Sequence, residues 1–435
     1  MVLITYTSGG STTFTSAMYQ ALDTGSGLPT VVELGTGWTE IGADAFESTA
    51  LASIVIPASV TSIGDFAFKN CTSLASVTFA EDSELVSIGV GAFQNTALTS
   101  IDIPASVTAI EDDAFNACFS LTSVIFAAGR GLLTIGINAF QSTALASIII
   151  PASVISIGDY AFNACASLTS VTFAENSGLL TIGYSAFQST AITSIVIPAS
   201  VTSIGGGAFK SCTSLTSVTF AENSELQIIM MSAFRDTAIT SIVIPASVIT
   251  IENDAFLQCI SLASVTFIAS TDSVTGITIG DDAFANTALA SVFIKAEQVI
   301  KDSTGTHIST TTLPTTGTFF GSTTTPTIRS YEIAGTGTFT TTHYTDALSP
   351  PYAVLTNSDS TGWTAIGDNA FDATAITSII IPASVTSIGY QAFYNTTSLT
   401  SVTFAANSEL LTIGTSAFQS TALTSIIIPA SVETI

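Results

Sequence analysis

The pair Ala-Phe recurs along this chain with Phe at 46, 68, 93, 115, 140, 162, 187, 209, 234, 256 and 284, and again at 371, 393 and 418. The first ten steps run 22, 25, 22, 25, 22, 25, 22, 25, 22 and 28 residues, so units of 22 and 25 alternate in a 47-residue double unit. A period of this length limits the fold more than any local propensity does. It marks stacked supersecondary units, each too small to bury its own core and each completed by its neighbours.

Residues 98–118 show what one unit contains. Leu98, Ile101 and Ile103 alternate with Ser100 and Asp102, the period-2 pattern of a strand with one buried face. Pro104 ends that strand, because proline has no N–H for a ladder. Residues 106–110 turn the chain back and offer Val107 and Ile110 to the core. Residues 112–118 read as one short helical turn, with Ala114, Phe115 and Cys118 on one edge. Stacked units would pair their strands in parallel at ~4.8 Å and pile the Phe residues into an internal ladder. The 25-residue units carry Phe-Ala-Glu where the others carry Ile-Pro, with extra residues in the turn that follows.

The recurring motif L-T-S-I-x-I-P-x-S-V-T-S-I-G-x-x-A-F-x-x-C, carried nearly in full by residues 53–68 and repeated through about 41–294 and 366–435, resembles the BspA-like group of leucine-rich repeats. The resemblance implies an α/β solenoid: a right-handed horseshoe with a long parallel β-sheet, short helical turns on the convex side and β-rich caps. It also implies a non-enzymatic adhesion protein at the cell surface or outside the cell, binding a protein or a glycan.

Residues 1–40 lack the repeat and read as a β-rich cap with strands over 2–7 and 11–16. A gapless shift of 325 residues brings Thr13-Phe14-Thr15 onto Thr338-Phe339-Thr340, and Gly37-Trp38-Thr39 onto Gly362-Trp363-Thr364. The organisation expected is therefore a cap (1–40), an array (41–294), a Thr-, Gly- and Pro-rich linker (295–328), a second cap-like segment (329–365) and a second array (366–435). Trp38 and Trp363 are expected to seal the first core layer of each array, in preference to stacking on a ligand. The second array stops in mid-unit, before its Gly-x-x-Ala-Phe. End-to-end stacking into a homo-oligomer, filament or surface layer is therefore the alternative to recognition.

Charged residues make up 9% of the chain, against roughly 25% in typical proteins. The net charge is −25, and the seven basic residues are scattered. Nucleic acid and anionic membranes are poor partners for such a surface. The first residues lack the basic and apolar regions of a secretory signal, and no apolar run reaches the ~18 residues of a membrane span. Cys71, Cys118, Cys165, Cys212 and Cys259 are spaced by 47 residues. Two turns of a solenoid put them ~10 Å apart, beyond the ~7 Å limit for a disulfide, so they read as buried thiols.

Two outward columns run along the strands. One is serine at one position per unit, and the other alternates aliphatic residues with Thr. The binding set expected from the resemblance, on the concave face, is Ser100, Asp102, Ser123, Ser147, Ser170, Thr172, Ser194, Ser217, Thr219, Ser241, Ser264 and Thr266. The plainer reading, a solvated β surface, weighs about equally. Ice binding is disfavoured because the Thr column breaks at every second turn. Asp65, Glu111, Asp112, Asp113, Asp159, Glu252, Asp254, Asp281, Asp282 and Asp368 cluster before Ala-Phe and are read as caps of the helical turn rather than calcium ligands. No catalytic residue, cofactor site or metal site is expected: His307 and His343, the two histidines, belong to no recognisable catalytic motif.

Overall fold

The computed structural model describes residues 2–4, 12–22, 28–128, 131–268, 276–289, 291–294, 300–301, 307–308, 327–330, 333–335, 337–339, 352–357, 363–374, 376, 378–405 and 407–435. The chain divides into two compact units, Met1–Val292 with Glu297–Thr327, and Phe293–Ala296 with Ile328–Ile435.

The first unit is a β-solenoid of stacked coils. Each repeat coil supplies a four-residue strand, a two-residue strand and a turn segment. In the coil at 98–118 the strands are Ser100–Ile103 and Ala109–Ile110. Leu98, Ile101, Ile103, Val107, Ile110, Phe115 and Cys118 are all buried, as the period-2 pattern requires. The Phe of each Ala-Phe pair from Phe46 to Phe284 is fully buried, and successive rings of this set stack 5.0 to 5.4 Å apart within 10° of parallel. Phe14 extends the stack into the cap, 5.1 Å from Phe46. Trp38 packs edge-on against Phe14 and is buried, as is Trp363 in the second unit.

The expected helical turns are not helices. In residues 112–118 the N–H groups alternate between two kinds of partner. Asp113, Phe115 and Ala117 donate to Ile137, Ala139 and Gln141 of the next coil at 2.8 to 2.9 Å. Asn116 and Cys118 donate three residues back, to Asp113 and Phe115. Asp113 and Ala117 take φ of +57° and +59°, and the pattern recurs in successive coils. The spacing of the coils explains this. Helices pack 8–10 Å apart, whereas these coils rise by little more than 5 Å, so a helix in every coil would not fit. Turns whose N–H groups point along the solenoid do fit. The one α-helix among the described residues is Ser16–Gln20, in the cap.

The long continuous sheet is also not the one expected. It is built from the short strands, thirteen of two residues and Ile277–Ile279 of three, which run in chain order from Thr13–Phe14 to His307–Ile308. All pair in parallel except the last, where Ile300–Lys301 meets His307–Ile308 antiparallel. The segment expected as a linker therefore contributes two strands to this sheet. The four-residue strands instead form separate pieces, including the pairs Ser100–Ile103 with Ser123–Phe126, Ser147–Ile150 with Ser170–Phe173, and Ser194–Ile197 with Ser217–Phe220.

In the second unit, Tyr352–Asn357, Ser378–Ile381 and Ser401–Phe404 pair in parallel, as do Trp363–Ile366, Ser387–Ile388 and Thr412–Ile413. Its core stacks Phe371, Phe393 and Phe418. The cap pairing repeats at the expected shift: Thr13↔Glu40 and Phe14↔Ile41 correspond to Thr338↔Ala365 and Phe339↔Ile366. His343 lies outside the described residues.

Candidate functional site

The candidate site is the outward face of the four-residue strands. Parallel register places Ser100 beside Ser123, Ser147 beside Ser170, Ser194 beside Ser217 and Ser241 beside Ser264. The second column sets Asp102 beside Ile125, Ile149 beside Thr172, Val196 beside Thr219 and Val243 beside Thr266. Every one of these sequence-predicted residues faces outward. Ser264 and Thr266 are half-buried and the others are exposed. The aliphatic members are unusually open: Ile149 is 65% exposed and Val196 58%.

The face is cut at regular intervals. No ladder joins Ser123–Phe126 to Ser147–Ile150, Ser170–Phe173 to Ser194–Ile197, or Ser217–Phe220 to Ser241–Ile244. At a closed seam the N–H after the second strand reaches back, as Ala174 does to the Ile150 carbonyl at 3.0 Å. At an open seam the equivalent residue is Pro151, Pro198 or Pro245, which has no N–H to give. Proline alone is not enough, because Ser53–Ile56, followed by Pro57, still pairs with the cap strand Val31–Leu34. The gaps open where Pro follows a coil whose strand ends in Phe. The residues after that Phe turn backwards, with Gly178 donating to the Ala152 carbonyl at 2.8 Å.

The gap between Ser170–Phe173 and Ser194–Ile197 is a cleft of about 610 Å³ lined by Thr172, Phe173, Glu175, Asn176, Val196 and Pro198, among others. Phe126 and Ile149 line a matching cleft of about 640 Å³ at the preceding gap, and Phe404 and Ile427 line another in the second unit. Phe126, Phe173 and Phe220 are half-buried where the seam is open. Phe267 is 2% exposed. There the chain carries Lys295 at the proline position, and the strand beginning at Ser291 continues the sheet. The alternation of Phe-Ala with Ile-Pro was legible in the sequence, but only stacking shows that it opens clefts.

Several acidic residues before Ala-Phe act between coils, whereas Asp113 accepts from the Asn116 side chain within its own turn. Oδ1 of Asp65, Asp112 and Asp159 accepts the backbone N–H of Val90, Ile137 and Tyr184 in the next coil, at 2.9, 2.7 and 2.6 Å. This replaces the expected capping of their own turn. Glu252 reaches the opposite way, to the Met231 N–H at 2.8 Å. Asp159→Ala removes one such acceptor and is expected to cost about 1 kcal/mol in chemical denaturation, with Asp159→Asn close to wild type because its Oδ1 still accepts. Among the described residues no three His, Cys, Asp or Glu side chains come together as a metal site.

The cysteines are buried and free of disulfides. Each Sγ–H donates to the carbonyl of the stacked Phe in the preceding coil, as Cys165 does to Phe140 at 3.1 Å and Cys259 to Phe234 at 3.0 Å. A Thr hydroxyl of that coil lies 3.1 Å from each of the same two sulfurs. Thr396 occupies the cysteine position in the second unit and donates to the Phe371 carbonyl at 2.7 Å. Burial pushes all five thiols above their ordinary range, Cys259 to about 11. These thiols are hydrogen-bond donors in the core rather than nucleophiles.

Stacked parallel coils, an internal Phe ladder and a ladder face made mostly of Ser, Thr and aliphatic residues define a leucine-rich-repeat type of β-solenoid. The chain belongs to the BspA-type leucine-rich repeat family: the model of that region, in six copies, matches residues 39–169, 133–263, 227–324 and 364–435. A leucine-rich repeat protein from Bacteroides ovatus is 25% identical, with 90% of this chain and 85% of that one aligned and a TM-score of 0.48. A leucine-rich cell surface protein from Faecalibacterium prausnitzii is 26% identical over 87% of this chain and 89% of that one, with a TM-score of 0.40. The pneumococcal vaccine antigen PcpA is 18% identical over 91% and 85% of the two chains, with a TM-score of 0.41. No curated protein sequence matches this chain. No helix among the described residues is long and apolar enough to cross a membrane.

Proposed function

We propose that this chain is a non-enzymatic recognition or adhesion protein of the cell surface, binding a protein or glycan through the outward Ser/Thr–aliphatic face, on the concave side of the horseshoe that the family resemblance implies. The observation that carries this reading is the exposure of Ile125, Ile149, Val196 and Val243 beside a column of serines. An array needs only alternate residues buried, and nothing in coil stacking calls for aliphatic side chains in water. Exposed apolar groups lined up on a polar surface are a feature of contact sites, and repeat arrays use such extended surfaces for binding.

The test is a screen of the intact chain against glycan and protein arrays, repeated with Ser170→Glu and Ser217→Glu. Loss of binding by about tenfold or more for each variant, at unchanged thermal stability, is the expected result. Binding that ignores both changes would overturn the reading. The alternative, end-to-end assembly, is read by light scattering during size-exclusion chromatography. A mass near 44.5 kDa at all concentrations argues for recognition, and a mass that climbs with concentration argues for stacking.

A further inference from the structure

We infer that the open seams are glycan subsites, repeated every second coil, and that the partner is a neutral linear polysaccharide running across them. This rests on the reading of the ladder face as the binding surface and narrows it to one ligand class.

Three observations carry it. The first is composition. In the seam after Phe173 the half-buried Phe ring lies with exposed Val196, the hydroxyls of Ser170 and Thr172, and the polar side chains of Glu175 and Asn176. A pyranose ring presents an apolar C–H face and an edge of hydroxyls. An aromatic and an aliphatic side chain can take the face, while hydroxyl, amide and carboxylate groups pair with the edge.

The second is the repeat. Phe126, Phe173 and Phe220 are 47 residues apart in sequence. With rings stacked 5.2 to 5.4 Å apart in these coils, two coils put successive seams ~10 Å apart, twice the spacing of paired strands. An extended β-linked pyranose chain advances by about one ring per coil, so alternate rings meet equivalent seams. Weak subsites joined on one ligand reinforce each other through effective concentration.

The third is charge. The net charge is −25, and among the described residues no Lys or Arg lines the cleft after Phe173. Glu175 sits at the seam. An anionic polymer would meet repulsion without a cation to pair with, so the ligand is uncharged.

The experiment is calorimetric titration of the intact chain with β-linked oligosaccharides of glucose, N-acetylglucosamine and mannose in graded lengths, with an anionic uronic-acid series alongside. A neutral series should bind with affinity that rises with length, and the uronic-acid series should bind more weakly. Thr172→Arg, which fills one seam, should weaken the longest neutral ligand by about tenfold. Phe173→Leu keeps the core filled and should weaken it by severalfold. Phe267→Leu, at a closed seam, should leave affinity unchanged. Preference for the anionic series, or equal binding by the seam variants and Phe267→Leu, would overturn the inference. A protein ligand lost on Ser170→Glu while no glycan binds would overturn it and leave the broader reading standing. Insensitivity of every ligand to Ser170→Glu and Ser217→Glu would overturn both.

Discussion

Phe162→Ala is expected to destabilise the array by about 3–5 kcal/mol, the cost of truncating a fully buried aromatic ring. Phe162 is 0% exposed and stacks on Phe140 at 5.3 Å and Phe187 at 5.2 Å. Its removal leaves a hole between two rings held in place by the backbone bonds of their own coils. The hole cannot close, because the Phe162 N–H donates to the Ala186 carbonyl and fixes the coil spacing. A solenoid transmits such damage only to its neighbours. Hydrogen exchange should therefore show protection lost mainly around residues 136–190, while the cap at Phe14 stays protected. Phe119, 67% exposed, is the control. Phe119→Ala should change stability by less than about 0.5 kcal/mol. Equal effects from the two variants would refute the account of the ladder as the core.

The second large effect is loss of stability at alkaline pH. Burial raises the Cys259 thiol from an ordinary 9.0 to about 11. The folded state thus holds this proton where the unfolded chain has released it. The contribution is fully present below pH 9, shrinks as pH rises, and is gone above about 11. Holding the proton from 9.0 up to about 11 corresponds to about 3 kcal/mol across that window. The other four thiols are shifted in the same direction by the same cause, so they should add to the loss of stability as pH rises above 9. Cys259→Thr isolates one share of it. Thr396 demonstrates that a hydroxyl at this position can donate to the stacked Phe carbonyl, so the variant should fold and titrate less steeply. An unchanged slope of unfolding free energy against pH would sink the assignment. Below pH 9 native thiols should also react slowly with disulfide reagents and quickly once the chain is unfolded.

Much of this protein was decided by its sequence alone. The spacing of Ala-Phe set the number of residues per coil. The alternation in Leu98-Thr-Ser-Ile-Asp-Ile103 assigned a buried and an outward face, and both held. The 47-residue interval kept the cysteines out of disulfides. The repeat of the cap at a shift of 325 residues put Trp363 where Trp38 stands. These features are periodic, and a solenoid turns sequence period directly into position in space.

What depends on neighbours had to wait for the fold. Residues 112–118 have the composition of a helical turn, but a coil rise of little more than 5 Å leaves no room for stacked helices, so their N–H groups serve the next coil. Asp112 looks like a local cap and instead holds the Ile137 N–H one coil away. Seams open at Pro151, Pro198 and Pro245 but not at Pro57, because opening also requires the strand before to end in Phe. No single unit contains both residues. The clefts exist only where one coil meets the next, and tertiary structure alone brings those two coils together.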